Sequence, residues 1–182
     1  MIANEIYKEI QLGKKEVRIL EVGCGTGQMA RYLSKELKEY RGAISYTGLD
    51  LSQNMLDKFK DQYFKSQCII CGEFLDYSEM NDSNYDVIIF SYVLALNIEW
   101  GKMVFAARRA LNSDGTIAVV EFDKTQSRLY QKWMNLHQVG INIGIREELD
   151  RLFIPIKSFS KSKGLLPWSY FAGLWEKGQN DY

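Results

Sequence analysis

The sequence predicts a doubly wound α/β domain, a mostly parallel sheet of seven strands with helices on both faces and an antiparallel hairpin at its end. Three observations lead there: apolar strand-like runs alternate with helices of about a dozen residues, the first run opens into a turn with three alternating glycines, and the last sixty residues change pattern. Val17 to Val22 (VRILEV) is an apolar run between Lys14-Lys15 and Gly23, as expected of a strand buried on both faces. Gln28 to Tyr40 carries Met29, Leu33 and Leu37 at helical spacing. Ile44 to Leu49 is the second strand, Gln53 to Phe64 a helix, Gln67 to Gly72 the third strand and Asp86 to Ser91 the fourth. A helix over Glu99 to Leu111 stops at the turn signal Asn112-Ser113-Asp114-Gly115, and Thr116 to Phe122 is the fifth strand. Beyond Asp123, Ser127 to Val139 and Glu147 to Phe153 are expected as helices. Ile154 to Ser160 and Trp168 to Trp175 close the sheet as a hairpin.

Composition narrows the function classes. The 182 residues are 46% apolar and suit one domain, with a short lid over 1–16, a binding core over 17–123 and a substrate-side portion over 124–182. Lys+Arg and Asp+Glu balance at 23 each, so no net field steers the chain to nucleic acid. An odd cysteine count (Cys24, Cys68, Cys71) and the lack of a secretory-type opening fit the cytoplasm. No apolar run reaches the roughly 20 residues of a bilayer span, so a lipidic substrate would be met at the membrane surface. Cys68 and Cys71 are three apart on a strand, face opposite sides and have no second pair, so zinc is not expected.

The stretch "ILEVGCGTGQMARYL" (Ile19 to Leu33) carries the chemistry. In open α/β sheets the first strand-to-helix turn faces the ligand crevice. Gly23, Gly25 and Gly27 leave that turn bare and free to adopt positive φ. A nicotinamide fingerprint would place a third glycine at position 28, where this chain has Gln28, and Gln28-Met29 cannot supply the Lys and Ser/Thr of a phosphate loop. Glu21 stands ahead of the turn and Asp50 ends the second strand. A carboxylate there repels pyrophosphate but suits an ammonium group and a positive centre, and Asp50 suits the two hydroxyls of a ribose. S-adenosylmethionine has all these parts. The remaining alternatives are a nicotinamide-dependent oxidoreductase, which Gln28 and Glu21 disfavour, and a module that binds the cofactor without catalysis.

Through "LEVGCGTG", "YTGLDLS", "GEFLDY" and "YDVIIFSYVL", in that order, the chain resembles the Rossmann-like class I S-adenosylmethionine-dependent methyltransferases over Val17 to Asp123. The resemblance implies that Glu21 lies by the methionine end of the cofactor and that Gly23, Cys24, Gly25 and Gly27 pass beneath it. It implies Asp50 on the ribose, Leu51 on the adenine, Glu73 and Phe74 flanking the adenine ring, and Ser91 and Tyr92 near the sulfonium. Glu73 departs from the family's common Asp. The Asn/Asp/Ser-Pro-Pro-aromatic block of nucleobase amine methyltransferases is absent, as are a Pro-Cys nucleophile and an acidic metal cluster over Ser91 to Asn97. The resemblance therefore implies metal-free transfer to nitrogen or oxygen of a small-molecule or lipid-linked acceptor, leaving S-adenosylhomocysteine.

The tail from Val119 to Phe153, with Asp123, Trp133, Met134, His137 and Val139, resembles betaine-lipid N-methyltransferases and the rhodoquinone-biosynthesis methyltransferase, with Gln138 interrupting the usual His-Val pair. His137, the single histidine, would take a proton from the acceptor, its ordinary pKa of about 6.5 lying near working pH; packing beside Trp133 and Met134 is the structural alternative. Tyr7, Tyr92, Trp133, Trp168, Tyr170 and Phe171 are candidates for the acceptor pocket, two or three of which are expected to touch substrate. Tyr92 leads them because it follows the fourth strand. Lys157, Lys161 and Lys163 are expected to guard a solvated hairpin edge, with a rim for anionic lipid or phosphate as the alternative.

Overall fold

In a computed structural model, residues 2–10, 14–59, 61–80, 84–125, 127–136, 139–141, 143–162 and 168–178 are described. The elements run α1 (Ile2–Ile10), β1 (Glu16–Val22), α2 (Gln28–Glu36), β2 (Ala43–Asp50), α3 (Gln53–Leu56), β3 (Ser66–Cys71), α4 (Phe74–Met80), β4 (Tyr85–Ser91), α5 (Trp100–Ala110), β5 (Leu111–Thr125), α6 (Arg128–Leu136), α7 (Ile145–Leu152), β6 (Ile154–Ser162) and β7 (Trp168–Glu176). The seven strands lie in the order β3-β2-β1-β4-β5-β7-β6; β7 runs antiparallel to both of its neighbours and the remaining pairs are parallel.

Strand alternation divides the interior into two cores. Leu20, Val22, Ile88, Phe90, Ile117, Val119, Phe171 and Trp175 face one side, under α4, α5 and α7. Val17, Ile19, Tyr46, Val87, Ile89, Ala118, Ala172 and Leu174 face the other, where Ile2, Ala3 and Ile6 of α1 and Ala30 and Leu33 of α2 cover them. Because central parallel strands are covered on both faces, β1 shows nearly continuous burial instead of alternation.

Three elements depart from the sequence expectation. The helix expected over Gln53 to Phe64 ends at Leu56: the Gln67 side chain accepts from the backbone amides of Tyr63 (2.9 Å) and Phe64 (3.3 Å), capturing donors a helix would have used, and Phe64 turns into the core. The Asn112-Ser113-Asp114-Gly115 turn is absorbed into β5 as a wide bulge. Tyr85 pairs with Leu111 and Val87 with Thr116, so four residues stand opposite Asp86, whose carboxylate accepts from Asn112 Nδ2 at 2.8 Å. Helix α4 has no counterpart in the expectation; its short run "FLDYSEM" seats Phe74 edge-on against Phe90, centroids 5.7 Å apart. Of the expected edge lysines, Lys157 pairs with Glu5 of α1 at 2.9 Å, Lys161 is exposed, and Lys163 lies outside the described residues. No helix among the described residues is long and apolar enough to cross a membrane.

Trp175 closes the hairpin onto the helical layer. It is fully buried, meets Phe171 edge-on at 6.2 Å, and its Nε1 donates to Asp150 Oδ1 of α7 at 2.7 Å. Trp175→Ala is expected to cost about 3–5 kcal/mol, through the cavity and the orphaned carboxylate, in urea denaturation; a loss below about 1 kcal/mol would show that the hairpin carries little of the stability.

Candidate active site

Strand order reverses between β1 and β4, so the connections leaving their carboxyl ends diverge and open a crevice. The turn after β1 forms its floor. Leu49 O accepts from both Gly23 N (2.7 Å) and Cys24 N (3.0 Å), pinning the turn to the end of β2. Gly23, Gly25 and Gly27 all have positive φ, at 72°, 52° and 81°. A Cβ on Gly23 would lie 2.0 Å from Val93 Cγ2, so sterics and backbone conformation both demand glycine there. Asp50 is held on two sides, its Oδ2 accepting from Gly25 N and its Oδ1 from Ser52 N, each at 2.8 Å.

Two cavities flank this turn. The first, about 260 Å³, is lined by Gly23, Asp50, Leu51, Glu73 and Phe74 together with Val93, Leu96 and Asn97 of the loop after β4. The second, about 430 Å³, contains Glu21, Cys24, Gly25, Ser91 and Tyr92, with Met29, Tyr32, Met55, Phe159 and Tyr170 around it. Among the described residues, Glu21 is the one acidic or basic side chain lining this second cavity.

Two carboxyl groups lie buried at the rim. Glu21 is 1% exposed and accepts a 2.5 Å hydrogen bond from the Tyr46 hydroxyl. Burial pushes its pKa up to about 8, partly offset by Tyr46 and reinforced by Asp50. Cys24 beside it is buried too, and burial with the nearby carboxylates pushes its thiol up to about 12, so it stays protonated and unreactive. Glu121 of β5 is fully enclosed; its Oε1 accepts from Phe122 N at 2.9 Å and its Oε2 from Ala95 N at 3.1 Å. Burial raises it to about 7 against the pull of those amides and of Leu94 and Val93. Glu121 thereby holds the loop whose Val93 and Leu96 wall the first cavity. Tyr92, which precedes that loop, has φ 57°, the one positive φ outside glycine among the described residues. Its amide donates to Val120 O at 2.8 Å, its ring lies 5.1 Å from Phe122, and burial with Tyr170 and Glu121 nearby raises its phenol.

The sequence candidates divide between these cavities. Glu21, Cys24, Gly25, Ser91 and Tyr92 gather at the second, Asp50, Leu51, Glu73 and Phe74 at the first, and Gly23 lines both. Gly27 stands behind them at the start of α2. Tyr170 joins Tyr92 at the second cavity, whereas Phe171, one residue on in β7, points to the opposite face and into the core. Trp133 lines neither. His137 lies outside the described residues, as do the side chains of Tyr7 and Trp168. Glu121, Tyr32, Met55 and Phe159 were not anticipated. An acid inside the apolar run "AVVEF" was the available signal for Glu121, since such runs bury both faces.

Both raised carboxyls bind protons more tightly in the folded chain than at their ordinary value of 4.5. Their contribution to stability is therefore full below about pH 4.5 and is lost as pH rises to 7 and 8. Glu121→Gln and Glu21→Gln are each expected to flatten that fall by an amount on the order of 1–3 kcal/mol, followed by urea denaturation across this range. An unchanged slope in both variants would contradict the buried-acid account.

Residues 20–119 match the methyltransferase domain family. The ubiquinone/menaquinone biosynthesis C-methyltransferase of Campylobacter jejuni is 27% identical over 114 residues, 62% of this chain and 48% of that protein. A malonyl-[acyl-carrier protein] O-methyltransferase of Acetivibrio thermocellus is 25% identical over 166 residues, 91% of this chain and 55% of that protein. The chain thus spans about half the length of the curated relatives it matches. Among solved structures, the [4+2]-cyclase SpnF superposes with a TM-score of 0.72 at 17% identity over 97% of this chain and 80% of that one. The plantazolicin methyltransferase BpumL, crystallised with S-adenosylhomocysteine, gives 0.66 at 17% identity over 97% and 82%. The fold is shared with both. With the glycine turn, the strand order and the family match in agreement, this chain belongs to the class I S-adenosylmethionine-dependent methyltransferases.

Proposed function

We propose that the chain transfers the methyl group of S-adenosylmethionine, without a metal, to nitrogen or oxygen of a small uncharged acceptor that is apolar or lipid-linked. The observation that carries this reading is the bare left-handed turn standing between the two cavities with a buried acid beneath it. Asp50, its carboxylate oriented by Gly25 N and Ser52 N, would hold the ribose hydroxyls, and Leu51, Glu73 and Phe74 the adenine. Gly23, Cys24, Gly25 and Gly27 would let the methionine portion approach the backbone, with Glu21 opposite its ammonium group and Ser91 and Tyr92 near the sulfur. When bound, the cofactor supplies a methyl group made electrophilic by a positive sulfur.

On the acceptor side the chain offers mainly position and exclusion of water. The tyrosines, Phe159 and two methionines give the second cavity an apolar, polarisable wall that suits an uncharged molecule and tolerates a methylated cation. The raised phenol of Tyr92 stays protonated at neutral pH, so it donates a hydrogen bond instead of removing a proton. An acceptor must therefore bring its own nucleophile, as a neutral amine does, or lose its proton to water or to His137, the proposed base. Transfer to carbon is a second reading, favoured by the C-methyltransferase from Campylobacter among the relatives.

Screening labelled methyl transfer against amines, phenols, quinols and lipid extracts tests the assignment, with the labelled atom identifying the acceptor. Asp50→Ala is expected to weaken S-adenosylhomocysteine binding about 10- to 100-fold in calorimetry, on the order of 1–3 kcal/mol for lost charge-assisted hydrogen bonds. Tyr92→Phe should lower turnover more than it changes cofactor affinity. Unaltered cofactor affinity in Asp50→Ala would overturn the placement of the ribose, and tight binding with no transfer to any acceptor would overturn the activity.

A further inference from the structure

Helix α6 follows the carboxyl end of β5, the same end of the sheet that carries the crevice, its first residue three positions after Thr125 in sequence. Its sequence RLYQKWMNL contains two cations and no acid. Met134, 2% exposed, marks its inward side. At 3.6 residues per turn the outward side falls to five residues. Leu129 and Leu136 are 82% and 79% exposed, and Trp133, stacked on Tyr130 at 5.6 Å, is half exposed; these three follow one another at helical spacing as an apolar stripe. Arg128 and Lys132, both exposed, run alongside it one turn apart.

Lys124, exposed at the end of β5, adds a third cation. Among the described residues no carboxylate pairs with Lys124, Arg128 or Lys132. Asp123 is the one acid between 123 and 136, and it takes a 3.5 Å hydrogen bond from Ser169 Oγ. After α6 the chain returns to the rim loop, where Gly140 N donates to Ala95 O at 2.6 Å, and that loop carries Leu96 and Ile98 at 57% and 97% exposure.

Exposed leucines and a tryptophan side by side with unpaired cations fit one occupant, an interface that is apolar in depth and negatively charged at its surface. We propose that α6, with Lys124, docks the protein onto a bilayer containing anionic lipids, so that the crevice faces the membrane surface. This deepens, and for its purpose rests on, the reading of an apolar or lipid-linked acceptor: such an acceptor would enter the second cavity without crossing water. A second copy of the chain would instead have to set three cations against their own kind or against acids elsewhere on its surface.

The test is flotation of the full chain with vesicles of phosphatidylcholine alone and of phosphatidylcholine and phosphatidylglycerol in equal parts. The expected result is binding to the mixed vesicles, weakened by salt, and little to the neutral ones. Arg128→Glu with Lys132→Glu should lower the partition coefficient by more than about fivefold per residue changed, the factor for one cation at such a surface. Leu129→Ser with Trp133→Ser should abolish binding while leaving S-adenosylhomocysteine affinity unchanged, which also verifies that the variant is folded. Absence of binding to the mixed vesicles overturns the proposal. So does equal binding of both variants and the parent, or a dimer in solution that the Leu129→Ser/Trp133→Ser variant converts to monomer. Vesicle binding with no methylation of any lipid extract would leave the docking face standing and remove the lipid-linked acceptor; methylation of a lipid extract in detergent with no vesicle binding would do the reverse.

Discussion

The Glu21 carboxyl is enclosed at the point where β1 ends and the chain turns along the floor of the crevice, and the rest of the candidate site is arranged around that placement. Its neighbours on β1 are apolar and it is 1% exposed, so it is largely removed from solvent, and it accepts a hydrogen bond from the Tyr46 hydroxyl. An acid in that setting is mostly neutral at pH 7, and we propose that it ionises when a cationic ligand comes to rest beside it. On the proposed reading, the charge that favours a cationic ligand over phosphate-bearing nucleotides develops fully with that ligand in place. Asp50, half-buried and anchored by two backbone amides, supplies a fixed acceptor on the other side of the turn.

The two buried glutamates divide the work of the rim. Glu21 sits under the turn after β1, and Glu121 sits under the loop after β4, accepting the amide of Ala95. Val93 of that loop comes so close to Gly23 that a methyl group could not fit between them, so the β4 loop and the glycine turn touch, and Gly23 borders both cavities. The left-handed backbone of Tyr92 is the local strain this arrangement carries, and Glu121, the Val120 carbonyl and the Phe122 ring hold it in place.

Much of this was legible in the sequence because it depends on period and on glycine. Strands β1, β2 and β4 and the closing hairpin lie within a residue or two of their expected bounds, since apolar runs between turn residues have few alternatives. The glycine turn announced itself by spacing alone. What escaped depended on contacts that hydrophobic period does not report: the Gln67 side chain accepting from the Tyr63 and Phe64 amides in place of the helix expected over them, the bulge that swallowed the Asn112–Gly115 turn, and the pairing of Glu121 with the loop after β4. Between the neighbouring candidates Tyr170 and Phe171, strand alternation permits only one to face the crevice, and the sequence alone does not say which. Helix α4 is too short for its periodicity to register.

The proposed ionisation of Glu21 on binding is open to a direct count. Calorimetric titration of the protein with S-adenosylmethionine near pH 7, repeated in buffers of different ionisation enthalpy, measures the protons exchanged per ligand bound. The account predicts release of close to one proton, since a group raised to about 8 is mostly neutral beforehand, and loss of that release in Glu21→Gln. Binding with no proton exchange, and an affinity that Glu21→Gln leaves unchanged, would contradict it.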